Sequence, residues 1–321
     1  MILRDNYLSS EAIKESMRVG FGRGLVAAGQ RDDRVVALVA DLAESVEMQH
    51  FRDAFGERFI EMGVAEQNLV TVASGLASMN KIPFAGSYAA FSPGRNWEQI
   101  RTTICINNRP VKIIGSHAGL SVGPDGATHQ MLEDIALMRV LPNMVVIAPG
   151  DSVEAEQATM AMALDGRPNY LRLAREKTPL LFSDEYAFEI GKAVVLREGN
   201  DIALMGTGTM SYQLLVVAEK LAEKGISAEV VHVPTIKPLD SETILASARK
   251  CTRVVTAEEA QIAGGFGSAV AELLSEQAPM PVKRIGVNDS YGESGTMQEL
   301  WQKYGLAVEG ILAGVEQFLS E

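Results

Sequence analysis

Residues 34–41 read RVVALVAD, and residues 111–117 read VKIIGSH. Each is a short, nearly unbroken run of apolar residues that stops on a chemically active group, Asp41 in one and His117 in the other. A run that is apolar at every position suits a strand covered on both faces, as in the parallel sheet of an α/β protein. Similar runs recur outward from these two, at 59–63, 82–88, 143–148 and 169–175. The stretches between them, 11–29, 65–80, 95–107 and 151–164, read as helices. Residues 176–190 (EKTPLLFSDEYAFEI) break the pattern. It then restarts, with strands expected at 201–205, 228–233, 253–257 and 282–287. Helices are expected at 210–224, 240–250, 264–275, 294–304 and 306–319. Two α/β domains follow, at 1–187 and 188–321.

Composition narrows the function. The chain has 321 residues, with 29 Lys and Arg against 41 Asp and Glu, for a net charge of −12. A protein that tracks nucleic-acid phosphates normally carries a basic stripe, so no nucleic-acid partner is expected. Small anionic substrates stay possible, because a few local arginines suffice for them. The two cysteines, Cys105 and Cys251, form no CxxC pattern, which argues against a disulfide framework or a structural zinc site. No run of 18 apolar residues and no leader-like N-terminus is visible, so a cytoplasmic protein without membrane spans is expected.

Ligands of open α/β sheets sit beyond the C-terminal ends of the strands, and polar residues there are the candidates. Glu66 lies in GVAEQN (63–68), at the head of a helix of small, nearly uncharged residues. It could simply complement the helix dipole. It could also be a desolvated carboxyl in need of a partner. Phe84, Tyr88 and Phe91 cluster in PFAGSYAAFSPGRNWEQIR (83–101). They read either as core aromatics or as a surface on which a flat heterocycle stacks. The loop SHAGLSVGPDGATHQ (116–130) holds His117, Asp125 and His129 among glycines. Its spacing matches no compact metal site, so a plain surface loop competes with a proton-transfer and hydroxyl-binding loop. Strand alternation puts Arg172 and Arg175 on opposite faces, and Arg175, at the strand's end, is the better anion fork. Gly206-Thr207-Gly208 lacks the third glycine and the acid of a dinucleotide loop.

The segments 63–67, 84–101 and GPDGATHQ (123–130), with the tail DSYGESG (289–295), closely resemble the transketolase family in the same order. The resemblance covers the pyrimidine-binding and C-terminal domains of that family. The family's GDG motif, which holds magnesium and the cofactor diphosphate, is absent from this sequence. The resemblance therefore implies a thiamine diphosphate-binding fold plus a transketolase C-terminal α/β domain, in the C-terminal subunit of a two-chain transketolase. It also implies an N-terminal partner subunit that supplies the Mg2+ ligands, an α2β2 assembly, and ketol transfer between sugar phosphates of the pentose phosphate type. Glu66 matches the glutamate that hydrogen-bonds N1′ of the aminopyrimidine. Phe91 matches the ring stacked on the pyrimidine, with Tyr88 and Phe84 beside it. Asp41 matches an acid that reaches the cofactor, and Ser45 a serine that helps hold substrate phosphate. His117 and His129 match histidines that exchange protons with substrate hydroxyls, and Asp125 an aspartate that reads a donor hydroxyl. Arg175 and Arg18 match arginines that hold the sugar phosphate. No metal ligand is implied in this chain.

The rivals are the β subunit of a 2-oxoacid dehydrogenase, a deoxyxylulose-phosphate synthase, a non-catalytic thiamine-fold partner, and a generic nucleotide-binding α/β protein. The loop and tail motifs count against the first. His117 counts against the second, which carries another residue there. Retention of the whole residue set counts against the third.

Overall fold

The computed structural model describes residues 2–321. Its strands are β1 (Lys14–Ser16), β2 (Val35–Val39), β3 (Phe59–Glu61), β4 (Ile82–Tyr88), β5 (Lys112–Ser116), β6 (Val145–Ile147) and β7 (Asn169–Arg172). They continue with β8 (Lys177–Pro179), β9 (Val194–Arg197), β10 (Ile202–Gly206), β11 (Ala228–His232), β12 (Thr235–Lys237), β13 (Val254–Gln261) and β14 (Val282–Val287). A seven-stranded sheet has the order β12-β6-β7-β5-β4-β2-β3, and a five-stranded sheet the order β14-β13-β10-β11-β9. Within each sheet only one edge strand is antiparallel, β12 on β6 and β9 on β11. The expected pair of parallel-sheet α/β halves is present.

Strand β2 shows why its sequence is apolar throughout. Val35, Ala37 and Val39 pack into one core layer with Phe21 and Leu25 of the helix Met17–Arg31 and with the helix Ser152–Leu164. Val36 and Leu38 face the opposite layer, with Leu69, Val70 and Ala73 of the helix Glu66–Ser78. Both faces are buried, so no alternation is visible in the sequence. The helices Met17–Arg31 and Ser152–Leu164 meet closely. A Cβ added at Gly24 would lie 2.6 Å from the Glu156 carbonyl oxygen and 2.8 Å from Thr159 Cβ.

Several boundaries differ from the sequence expectation. The stretch expected as one helix from residue 11 begins with β1, and the helix starts at Met17, where the Ser16 side chain accepts from the Arg18 N–H as N-cap. The helix expected at 95–107 is a short α-turn, Trp97–Gln99, running into a π-helical segment, Ile100–Cys105. The segment read as a linker contains β8, which pairs with β1. Strand β12, unforeseen, belongs by sequence to the second half yet completes the first sheet. Among the described residues, no helix is long and apolar enough to cross a membrane.

Candidate active site

Four adjacent strands, β2, β4, β5 and β7, end on the same edge of the large sheet. Their ends deliver Asp41, Tyr88, His117 and Arg175 in turn. The chain turns sharply there, with φ at +56° for Asp41 and +55° for His117, in the left-handed region that costs a side-chain-bearing residue energy.

His117 is 3% exposed. Its ring stacks on Tyr88 with centroids 3.8 Å apart, and its Nδ1 lies 2.9 Å from Ser116 Oγ. Burial comes first among the causes that push its pKa down to about 3, followed by the charges of Arg18, Arg175 and His129. His117 is therefore a neutral imidazole at physiological pH. His129 meets the same aromatic cluster edge-on, 5.3 Å from Phe91 and 6.4 Å from Tyr88, and its Nδ1 lies 2.9 Å from Thr128 Oγ1. Tyr88 and Phe91 stack at 6.1 Å. Four expected site residues thus form one cluster.

The arginines join it from behind. Arg18 donates from Nη1 to the Ser45 carbonyl at 2.6 Å, from Nη2 to the Arg175 carbonyl at 3.0 Å and from Nε to Ser16 Oγ at 3.2 Å. Arg175 donates from Nη1 to the Val122 carbonyl at 2.8 Å. Both guanidiniums are oriented by main-chain oxygens, which leaves other N–H groups of the forks for an anion. Arg172 goes elsewhere, as strand alternation requires. It is buried, with its Nε donating to Asp134 Oδ2 at 2.8 Å.

Glu66 opens the helix Glu66–Ser78 and is 2% exposed. Its Oε2 accepts from Arg95 Nη1 at 2.9 Å, and the Arg95 guanidinium lies 4.9 Å from the Phe91 ring centroid. Asn96 Nδ2 donates to the Glu66 carbonyl at 2.8 Å. Glu61 Oε1 accepts from the N–H groups of Asp41 and Gly63 and so fixes the turn that leads to Glu66. Arg95, Asn96 and Glu61 were not among the residues singled out from the sequence. Their partners lie 20 to 30 positions away or on the main chain, and no spacing rule marks them.

Not every expected residue arrives. Phe84 is 0% exposed, in the core layer with Phe21 and Leu25. It lies in mid-strand rather than at the sheet edge, with its ring packed inside that layer. Asp41 and Asp125 are exposed, and neither carboxylate has a hydrogen bond or ion pair among the described residues. Ser45 contributes its carbonyl to Arg18. Among the described residues no group of three His, Cys, Asp or Glu could hold a metal ion.

The chain has counterparts among known proteins. Residues 14–179 match the family described as "Transketolase, pyrimidine binding domain", and residues 191–311 match "Transketolase, C-terminal domain". The chain belongs to the transketolase family. It is 43% identical over 302 residues to a protein of Methanocaldococcus jannaschii named as a transketolase C-terminal section, covering 93% of this chain and 95% of that one. It is 41% identical over 293 residues to the 6-deoxy-6-sulfo-D-fructose transketolase subunit SqwH of Clostridium sp., covering 91% of each. A solved structure described as "Split gene transketolase, inactive beta4 tetramer" superposes with a TM-score of 0.89 at 45% identity, covering 95% of this chain and 98% of that one. The 1-deoxy-D-xylulose-5-phosphate synthase of Syntrophus aciditrophicus is 35% identical over 97% of this chain but only 48% of its own length. Membership in this family implies thiamine diphosphate as the cofactor.

Proposed function

We propose that this chain is the pyrimidine-binding subunit of a two-chain transketolase. With a separate subunit that binds the diphosphate and magnesium, it moves a two-carbon ketol unit from a ketose phosphate to an aldose phosphate. One observation carries the reading. Glu66 with Phe91, and the cluster of His117, His129, Arg18 and Arg175, share a single sheet edge, so a cofactor ring and an anionic sugar can lie side by side.

Bound thiamine diphosphate supplies an electron sink for cleaving a carbon–carbon bond next to a carbonyl. The protein's own residues do the rest. Glu66 holds a proton at the pyrimidine N1′ in place of its present partner, Arg95, whose side chain is 50% exposed and can swing away. Phe91 offers a face to the ring. His117, held neutral, reads a sugar hydroxyl without competing for its proton at ordinary pH. His129, part-buried and beside it, exchanges protons with a second hydroxyl. Arg18 and Arg175 hold the terminal anion. The relative that acts on a sulfonated ketose makes sulfonate an anion to test beside phosphate.

The test combines this chain with a diphosphate-binding subunit from the same source. Ketol transfer is measured from xylulose 5-phosphate and from 6-deoxy-6-sulfo-fructose, with thiamine diphosphate and magnesium present. Activity is expected from the mixture and from neither chain alone, with the isolated chain self-associating. Full activity from this chain by itself would defeat the two-subunit reading. Glu66→Gln, which fills the same space without a carboxylate, is expected to lower turnover about 100-fold or more. Near-normal turnover would remove Glu66 from the mechanism. Pyruvate used as donor in preference to either ketose would favour the synthase reading instead.

A further inference from the structure

The loop that carries His117 and His129 is held from the other half of the molecule. Two residues past His117, Gly119 sits at a φ of +84°, and a Cβ there would lie 2.7 Å from the carboxyl carbon of Glu259. Ser121 donates its backbone N–H to Glu259 Oε1 at 2.5 Å. Thr209 Oγ1 donates to Glu259 Oε2 at 3.0 Å. The main-chain oxygen of Glu259 accepts from Arg172 Nη2 at 2.8 Å. Glu259 lies in β13, between β14 and β10 of the five-stranded sheet, and is 2% exposed. The loop's far side is also gripped, because Gln130 Nε2 donates to the carbonyls of Gly123 at 3.1 Å and Glu293 at 2.9 Å.

A carboxyl group buried this deeply is expensive unless donors surround it. Here the loop supplies one donor, the Ser121 amide, and the second half supplies another, the Thr209 hydroxyl. Bonds to a carboxylate are shorter and stronger than neutral ones. The loop is rich in glycine, and the buried side chains of Ala118, Leu120 and Val122 hold it by non-directional packing, to which Glu259 adds a directional contact. Gly119 is needed for the contact itself, since a side chain at that position would displace the carboxyl group.

We propose that Glu259 is a positioning residue. Through Ser121 and Gly119 it fixes the path of the loop, and so the place of His117 against Tyr88, which gives the C-terminal half a part in substrate binding. The proposal rests on reading that loop as substrate-binding.

Hydrogen–deuterium exchange of the full chain tests it. In Glu259→Ala, the amides of residues 118–123 are expected to exchange about tenfold faster or more, while β4 and β10 keep their protection. Glu259→Gln retains one acceptor oxygen and is expected to loosen the loop less. In the reconstituted two-chain enzyme, Glu259→Ala is expected to raise the KM for the ketose about tenfold and to leave thiamine diphosphate affinity within about twofold. Unchanged loop exchange, loss of protection spread evenly over both sheets, or a loosened loop with unchanged kinetics would each overturn the proposal. If Glu259→Ala does not fold, Thr209→Val, which removes only the hydroxyl donor, takes its place. A loosening of about threefold is then expected, and none would overturn it. Exchange is read on the chain alone, so a wild-type pair without ketol transfer would defeat the activity reading and leave the loop contact separately tested.

Discussion

At His117 the backbone is held at a φ of +55° and the ring lies against Tyr88, with two arginines nearby. Both desolvation and like charge oppose an imidazolium. The folded pKa of about 3 lies below the ordinary value of 6.5, so the native state binds fewer protons than the unfolded one between those limits. Stability contributed by this residue is therefore present above about pH 6.5 and falls as pH drops toward about 3. His117→Gln removes that dependence. Denaturant titrations from about pH 4 to about pH 7 are expected to show the wild type losing stability relative to the variant as pH falls. A difference that stays flat would place the folded pKa near its ordinary value. At this scale the sequence was informative where the residue's own chemistry sits at a strand end, as with His117, Tyr88 and Arg175. It was uninformative about pairings. Arg95 reaches Glu66 across 29 positions, and Glu259 reaches Ser121 across 138. Phe84 shares a strand face with Tyr88, but four residues along a strand is roughly 13 Å, enough to move it from the sheet edge into the core.

The helix Met17–Arg31 ties packing to the candidate site. Its glycine face lies directly against the helix Ser152–Leu164, and its first turn carries Arg18, whose fork is set by the carbonyls of Ser45 and Arg175. Gly24→Val would put Cβ and two methyl groups into space held by Glu156 and Thr159. Overpacking of this kind costs about 1–3 kcal/mol and pushes the helices apart. The expected outcome is a lower unfolding midpoint, together with a several-fold rise in KM for the anionic sugar as Arg18 tilts away, with cofactor affinity little changed. A loss of stability with KM unaltered would show that helix spacing does not set the arginine. The long parallel strands and their helices could be read from the sequence because each is a full apolar or amphipathic period. Strands β1, β8 and β12 read KES, KTP and TIK, with no apolar run to mark them as VVI marks β6. Their pairing depends on partners far along the chain.

Across the whole molecule, the two halves share one interior rather than meeting at a seam. Strand β12 extends the first sheet from within the second half, and Lys237, at its end, donates from Nζ to the carbonyls of Arg139 and Leu141 at 3.0 and 2.5 Å. One core cluster joins Val146 and Tyr170 of the large sheet to Met205 and Val231 of the small one. At the centre, Glu154 Oε2 lies 2.7 Å from His232 Nε2, and both side chains are 0% exposed. Glu154 also accepts from the Gly150 N–H at 2.6 Å and from the Tyr186 hydroxyl at 2.5 Å, while Ser211 Oγ lies 2.5 Å from His232 Nδ1. Glu154→Ala would strand a buried imidazole and a buried phenol together, at a cost of about 3 kcal/mol or more. If the halves unfold as one unit, calorimetry should show a single transition in the wild type and the same single transition, at lower temperature, in the variant. Two transitions in the wild type, with Glu154→Ala lowering only one, would mean that the shared core does not couple them. Coupling matters for the candidate site, since the loop held by Glu259 is only as well placed as the β13 sheet is fixed against the β4 sheet.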